Sequence, residues 1–261
     1  MTARPSLATT APMYAISLTS IPPRYPRLGP VLASLLAQRP APCCVILALP
    51  ETPARFAPAP PPALPEGVAL LRTATDEGPA TKVLPAARAL TGDIDRLIYC
   101  DDDWILPPDW AARLLDAAGD SHAAAGAGFD VQRLKRQSHR APDPALADIA
   151  QGYAGVCIKP DWLAGPGCTP PPAAWPVDDI WLSAQLARQG IAIRLTRAAR
   201  RGMQLATDDA HALQHAAIGG RTRHEANLAC MAEVTARYGL WPPMPPAAAS
   251  TARAARPSRS A

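Results

Sequence analysis

The stretch Arg96-Leu97-Ile98-Tyr99-Cys100-Asp101-Asp102-Asp103-Trp104 runs a continuous apolar segment straight into three adjacent carboxylates. Its first five residues read as a buried strand, apolar on both faces as strands of a parallel sheet are. Three neighbouring aspartates repel each other, and a turn requires no more than one. A hard divalent cation such as Mg²⁺ or Mn²⁺, held by one or two carboxylates plus phosphates, relieves that repulsion. Strand geometry points alternate side chains to the same face, so Asp101 and Asp103 are expected to reach one ligand together. The plainer reading is a solvated acidic turn capping a helix that starts at Pro107.

Outward from this segment, strands and helices alternate. Upstream, Met13–Thr19 is a short apolar strand that exits into Ser20-Ile21-Pro22-Pro23. The stretch from Pro30 (PVLASLLAQ) has helical spacing, with proline tolerated in the first turn. Cys43–Leu49 and Val68–Arg72 read as further strands, separated by a proline-rich surface loop over Pro50–Pro65. Gly78–Leu90 reads as a helix bent or interrupted at Pro85. Downstream, Pro107–Ala118, Asp178–Gln189 (with Gly190 as its C-cap) and Arg221–Tyr238 read as helices. Tyr153–Ile158 and Ile191–Leu195 read as strands. This order predicts an α/β domain with a mostly parallel central sheet flanked by helices. Ligands gather at the carboxyl ends of such strands, which is where the triple aspartate falls.

Composition sets the outer limits. The chain has 261 residues, 48% of them hydrophobic and 18% charged, which excludes a wholly disordered chain. Thirty-two prolines are more than twice the usual share of about 5%, so they belong to loops and tails around an ordinary core. The net charge of +4 is too small to imply nucleic-acid binding. Six cysteines without zinc spacing read as small buried hydrophobes in a reducing compartment. No signal-like leader and no run approaching the ~18 apolar residues of a membrane span is visible, so a cytoplasmic protein without a transmembrane segment is expected. Residues 1–12 read as a flexible leader, 13–241 as a single domain, and 242–261 as a disordered Pro/Ala/Arg tail.

Three further groups carry chemistry. Asp178-Asp179 opens the DDIWLSAQL helix, where a carboxylate is ordinary capping, but two of them after a proline-rich loop also suit a base and its orienting partner. Asp76-Glu77-Gly78-Pro79-Ala80-Thr81-Lys82 places one of only three lysines near a helix start, where an ammonium and free N–H groups can meet phosphate. It lacks the glycines of a P-loop. Ser20, Ile21 and Arg24 after the first strand, and Gly152-Tyr153-Ala154-Gly155, are weaker signals of ligand approach. Among the late histidines His211, His215 and His224, His215 is the candidate to complete a metal shell.

In this order, SLTSIPPR, DEGPATK, DDDW, GYAGV and DDIWLSAQLARQG resemble the GT-A-fold glycosyltransferases, closest to a bacterial group near the family 2-type enzymes, over about Met13 to Trp241. The resemblance implies that an Asp-x-Asp pair binds the nucleotide-sugar diphosphate through Mn²⁺ or Mg²⁺, mapping onto Asp101 and Asp103 with Asp102 as an alternative partner. It implies that Asp178 and Asp179 supply the catalytic base of an inverting reaction, Asp179 foremost. Ser20, Ile21, Arg24, Asp76 and Lys82 are then on the nucleotide and diphosphate side. The expected partners are a UDP- or GDP-sugar donor and a glycan or other hydroxyl acceptor. The first strand lacks the usual Pro-Thr-Tyr-type ending, which bears on the base contacts. The Gln-x-x-Arg-Trp signature of processive synthases and membrane helices are both absent, which favours single-sugar transfer. A nucleotidyltransferase, which would carry a Gly-rich basic loop after the first strand, and a non-catalytic binding domain on the same fold are the competing readings.

Overall fold

The computed structural model describes residues 12–206 and 219–245. Its centre is an eight-stranded sheet. Among the described residues the strands are β1 (Tyr14–Thr19), β2 (Cys44–Pro50), β3 (Val68–Thr73), β4 (Arg96–Tyr99), β5 (Trp104–Ile105), β6 (His122–Ala125), β7 (Gly128–Phe129), β8 (Leu146–Ala147), β9 (Ile149–Ala150), β10 (Val156–Ile158), β11 (Ala192–Leu195) and β12 (Gln204–Leu205). The sheet order is β3-β2-β1-β4-β10-β6-β11-β8, and β5–β12 and β7–β9 form two small ribbons. The pairs β3–β2, β2–β1, β1–β4 and β6–β11 are parallel, whereas β10 is antiparallel to both β4 and β6, and β8 to β11. Six of the eight strands therefore share one direction, and their carboxyl ends line one edge.

Helices α1 (Gly29–Leu36), α2 (Leu84–Leu90), α3 (Trp110–Ala117), α4 (Asp178–Ala187) and α5 (Arg223–Tyr238) cover the sheet. Alternation along the strands divides the core. Tyr14, Ile16, Leu18, Leu47 and Ile98 pack against Val31, Leu32 and Leu35 of α1 and Trp110 and Leu114 of α3. Ala15, Ala48, Leu97, Tyr99 and Ile158 face α2 and the Leu182–Leu186 side of α4. The far side of α4 (Ile180, Trp181, Ala184) packs on Cys230, Met231 and Val234 of α5 and on Trp241. This is a single α/β domain with helices on both faces of a mostly parallel sheet.

Local chemistry explains where elements start and stop. Pro85 sits in the first turn of α2, whose own N–H is not needed there, so the expected interruption falls before it: Gly78–Lys82 is a 3₁₀ turn and the α-helix begins at Leu84. Thr222 and Glu225 close a capping box on α5, which fixes its start at Arg223 rather than Arg221. Gly155 takes φ +87°, and a Cβ there would lie 2.2 Å from the Trp110 ring. That backbone reversal delays the strand expected from Tyr153 until Val156, and Gly152–Ala154 forms a 3₁₀ turn instead. β2 extends through Pro50, one residue into the expected loop.

Of the cysteines, Cys100, Cys157, Cys168 and Cys230 are buried as expected, but Cys44 is half-buried and Cys43 exposed, because β2 begins only at Cys44. Pro242 and Met244 hydrogen-bond to Gln137 and Lys135, so the first residues of the expected tail pack on the domain. Residues 1–11 and 246–261, with the remaining leader and tail, lie outside the described residues, as do His211 and His215. His224 is exposed on the first turn of α5. Among the described residues no helix is long and apolar enough to cross a membrane.

Candidate functional site

A cleft of about 710 Å³ opens along the carboxyl edge of the sheet. Ser20, Ile21, Arg24, Asp76, Lys82, Asp101, Asp102, Asp103, Asp178 and Asp179 all line it. Residues separated by more than 150 positions in sequence meet there because the parallel strands β1 and β4 end side by side and α4 starts opposite them.

The triple aspartate does not continue the strand. Pairing of β4 stops at Tyr99, so strand alternation ends there and the three side chains diverge according to their partners. Asp102 is buried and turns toward the end of β1, where Ser20 Oγ and Arg24 Nη1 each donate to it at 2.5 Å. Asp101 accepts from the Lys82 ammonium. Asp103 lies 3.6 Å from Arg24 Nη1, and its Oδ1 is buried without a hydrogen-bond partner. Burial, reinforced by the charges of Asp101 and Asp102, pushes the Asp103 carboxyl up to about 7. Burial also raises Asp102, against which Arg24 and Ser20 act.

Lys82 is the hub of the other half. It is 3% exposed, and besides Asp101 it contacts Asp178 Oδ2 at 2.8 Å, tying the end of β4 to the start of α4. Burial alone would strip its proton, but Asp101, Asp178 and Asp179 outweigh that and hold it charged, well above the usual lysine range. Its ammonium is thus committed to carboxylates, rather than standing free for a phosphate as the sequence suggests. Gly152 is backbone-only for the same reason: a Cβ there would lie 2.7 Å from Lys82 Nζ.

Asp178 and Asp179 part company at the first turn of α4. Asp178 is buried against Lys82, whereas the half-buried Asp179 accepts the Gly152 N–H at 2.9 Å. Burial and the adjacent Asp178 charge push Asp179 up to about 7, with Lys82 pulling the other way. A carboxylate with that pKa is matched to proton transfer at neutral pH. Neither aspartate caps α4 through a side-chain hydrogen bond.

Asp76 faces the cleft, but its carboxylate is occupied with backbone N–H groups of Gly78 and Ala54, which fastens the proline-rich loop after β2 to the turn before Lys82. Sequence reasoning missed Arg55, Phe56, Trp104, Arg133, Trp175, Arg200 and Arg223, all of which line the cleft. The chain uses arginine almost exclusively for positive charge, so no local signal separates these arginines from the others.

Among the described residues, no three His, Cys, Asp or Glu side chains converge into a protein-only metal cage. The donor set that is present, the unpartnered oxygen of Asp103 with Asp101 beside it, fits a hard divalent cation that takes its remaining ligands from phosphate and water.

No protein-family model matches the chain, and no curated protein matches it. Among solved structures 125 chains match. One is the crystal structure of GalNAc-T7 with UDP, GalNAc and Mn²⁺, at 12% identity and a TM-score of 0.49, covering 72% of this chain. The match spans 43% of that chain.

Proposed function

We propose that this chain is a GT-A-type glycosyltransferase that moves one sugar from a UDP- or GDP-sugar to a hydroxyl of a glycan or other acceptor, with inversion. The observation that carries this reading is the pairing, across one cleft, of a carboxylate tuned to about 7 with an aspartate triplet that retains one unsatisfied buried oxygen. The cleft's size, about 710 Å³, suits a nucleotide sugar.

Asp103, with Asp101 beside it, would hold Mn²⁺ or Mg²⁺ together with the donor diphosphate. When bound, such an ion offsets the charge that grows on the leaving diphosphate. Asp179 Oδ takes the proton of the acceptor hydroxyl as that oxygen attacks the anomeric carbon. Asp178, held against Lys82, fixes the first turn of α4. Asp102, locked to Ser20 and Arg24, holds the triplet against the end of β1 and so sets where Asp103 points. Ser20, Ile21 and Asp76 belong to the nucleotide side.

The test is a panel of nucleoside-diphosphate sugars with Mn²⁺ or Mg²⁺, scored for sugar transfer and for slow donor hydrolysis. Metal-dependent turnover of one donor is the expected result. Absence of nucleoside-diphosphate binding across the panel would refute the reading, and binding without turnover would favour a non-catalytic binding domain.

A further inference from the structure

The sheet order gives the cleft two ends. Pro50 ends β2, and Arg55, Phe56 and Asp76 follow β2 and β3 on one side of the triplet, whereas Tyr153 precedes β10 and Arg200 follows β11 on the other. The second end is the one beside Asp179, because Gly152, which donates to Asp179, is the neighbour of Tyr153.

That end holds three of the cleft's arginines. Arg24 and Lys82 are neutralised by the aspartates of the cleft, but among the described residues Arg133, Arg200 and Arg223 make no ion pair with a carboxylate. Their guanidinium groups are nonetheless positioned. Arg200 lies over the Tyr153 ring at 5.7 Å, Arg133 over Phe129 at 5.5 Å, and Arg223 Nη1 donates to Pro176 O at 2.6 Å, just before α4. Arg223 also sits in the first turn of α5, where the helix dipole disfavours a cation, so local helix stability does not account for it. Trp104 stands beside Tyr153 with ring centroids 5.8 Å apart, which adds an apolar face against which the C–H face of a sugar ring can lie.

Resting on the glycosyltransferase reading, we infer that the acceptor is an anionic sugar, one bearing a carboxylate or a phosphate. Its ring packs on Trp104 and Tyr153, its anionic group meets Arg200 and Arg223, and its hydroxyl is brought to Asp179. Guanidinium groups suit this task because their planar fork matches carboxylate and phosphate oxygens.

The experiment measures binding of methyl glucoside, methyl glucuronide and glucose 6-phosphate to the full chain by calorimetry, with and without UDP and Mn²⁺, for the wild type, Arg200→Gln, Arg223→Gln and Arg200→Lys. The wild type is expected to bind both anionic probes about tenfold or more tighter than the glucoside, as a charge-assisted contact allows. Both Gln variants should lose most of that preference, and Arg200→Lys should keep part of it. UDP affinity should stay unchanged in all variants. Equal binding of the three probes by the wild type would overturn the inference. So would a loss of UDP affinity in both Gln variants, since the arginines would then serve the donor diphosphate. If the anionic preference holds but no nucleoside diphosphate binds, the glycosyltransferase reading fails while the anion site stands.

Discussion

Replacing Lys82 with methionine should reveal how much of the site depends on one buried ammonium. The substitution keeps an unbranched chain one atom shorter and removes the charge. Lys82 and Asp178 are only 3% and 4% exposed and 2.8 Å apart, and Asp101 makes a second contact with the same ammonium. At an effective dielectric near 20, the Asp178 contact alone attracts by about 6 kcal/mol. Desolvation of both ions offsets much of that gross figure. What remains on truncation is the penalty of stranding buried carboxylates, about 3–5 kcal/mol. At roughly 2–4 °C per kcal/mol, the melting temperature should fall by about 6–20 °C at pH 8. Lys82→Met/Asp178→Asn removes the stranded charge as well and should recover a large part of the loss, with a coupling above about 1 kcal/mol in the double-mutant cycle. A second readout is independent of stability. Lys82 lowers the Asp179 pKa, so the midpoint of the pH–rate profile should move upward in Lys82→Met. Calorimetric melting at pH 8 and the pH dependence of kcat/KM check both parts. Melting within about 2 °C of the wild type, or no recovery in the double variant, would falsify the role given to Lys82.

Asp179→Asn should bind nucleotide and metal normally, melt no lower than the wild type, and turn over about 10²–10⁴-fold more slowly, because proton acceptance is removed while the Gly152 N–H keeps an acceptor; full turnover would place the base elsewhere. In the wild type, kcat/KM should rise with pH through about 7 and level off above it, since Asp179 must be ionised to accept a proton; a profile flat from pH 5 to 8 contradicts the assignment. Asp103→Asn should weaken metal-dependent UDP or GDP binding in calorimetric titration. Its metal-free melting temperature should exceed that of the wild type more at pH 8 than at pH 5, because the raised Asp103 pKa means that deprotonation between about 4 and 7 destabilises the folded state. Gly155→Ala combines a φ of +87° with a Cβ 2.2 Å from Trp110 and should cost at least about 2 kcal/mol in denaturant unfolding; a neutral effect would mean that the β10 entrance adapts.

The chain's local sequence determined what local physics decides. Runs such as RLIYC and CCVILAL are apolar on both faces and became central strands, and prolines at positions 30 and 85 became first-turn residues of helices. The alternation of these runs fixed an α/β fold, and the rule that ligands meet the carboxyl ends of strands put the aspartates in the cleft. The division of labour among those aspartates was not legible, because it rests on partners far away in sequence. The strand's pairing ends at Tyr99, so alternation could not say that Asp102 would be the anchored carboxylate. Ser20 and Arg24 reach it from 82 and 78 residues upstream. Lys82 read locally as a phosphate ligand, yet folding set it between Asp101 and Asp178 and committed its charge to them. Arg133, Arg200 and Arg223 were indistinguishable in the sequence from the chain's other arginines, since what sets them apart is their place on the wall of the cleft. Burial and pairing are properties of the assembled sheet edge: charges attract through space, and the order in which β1, β4, β10 and β11 lie side by side decides which of them come within reach.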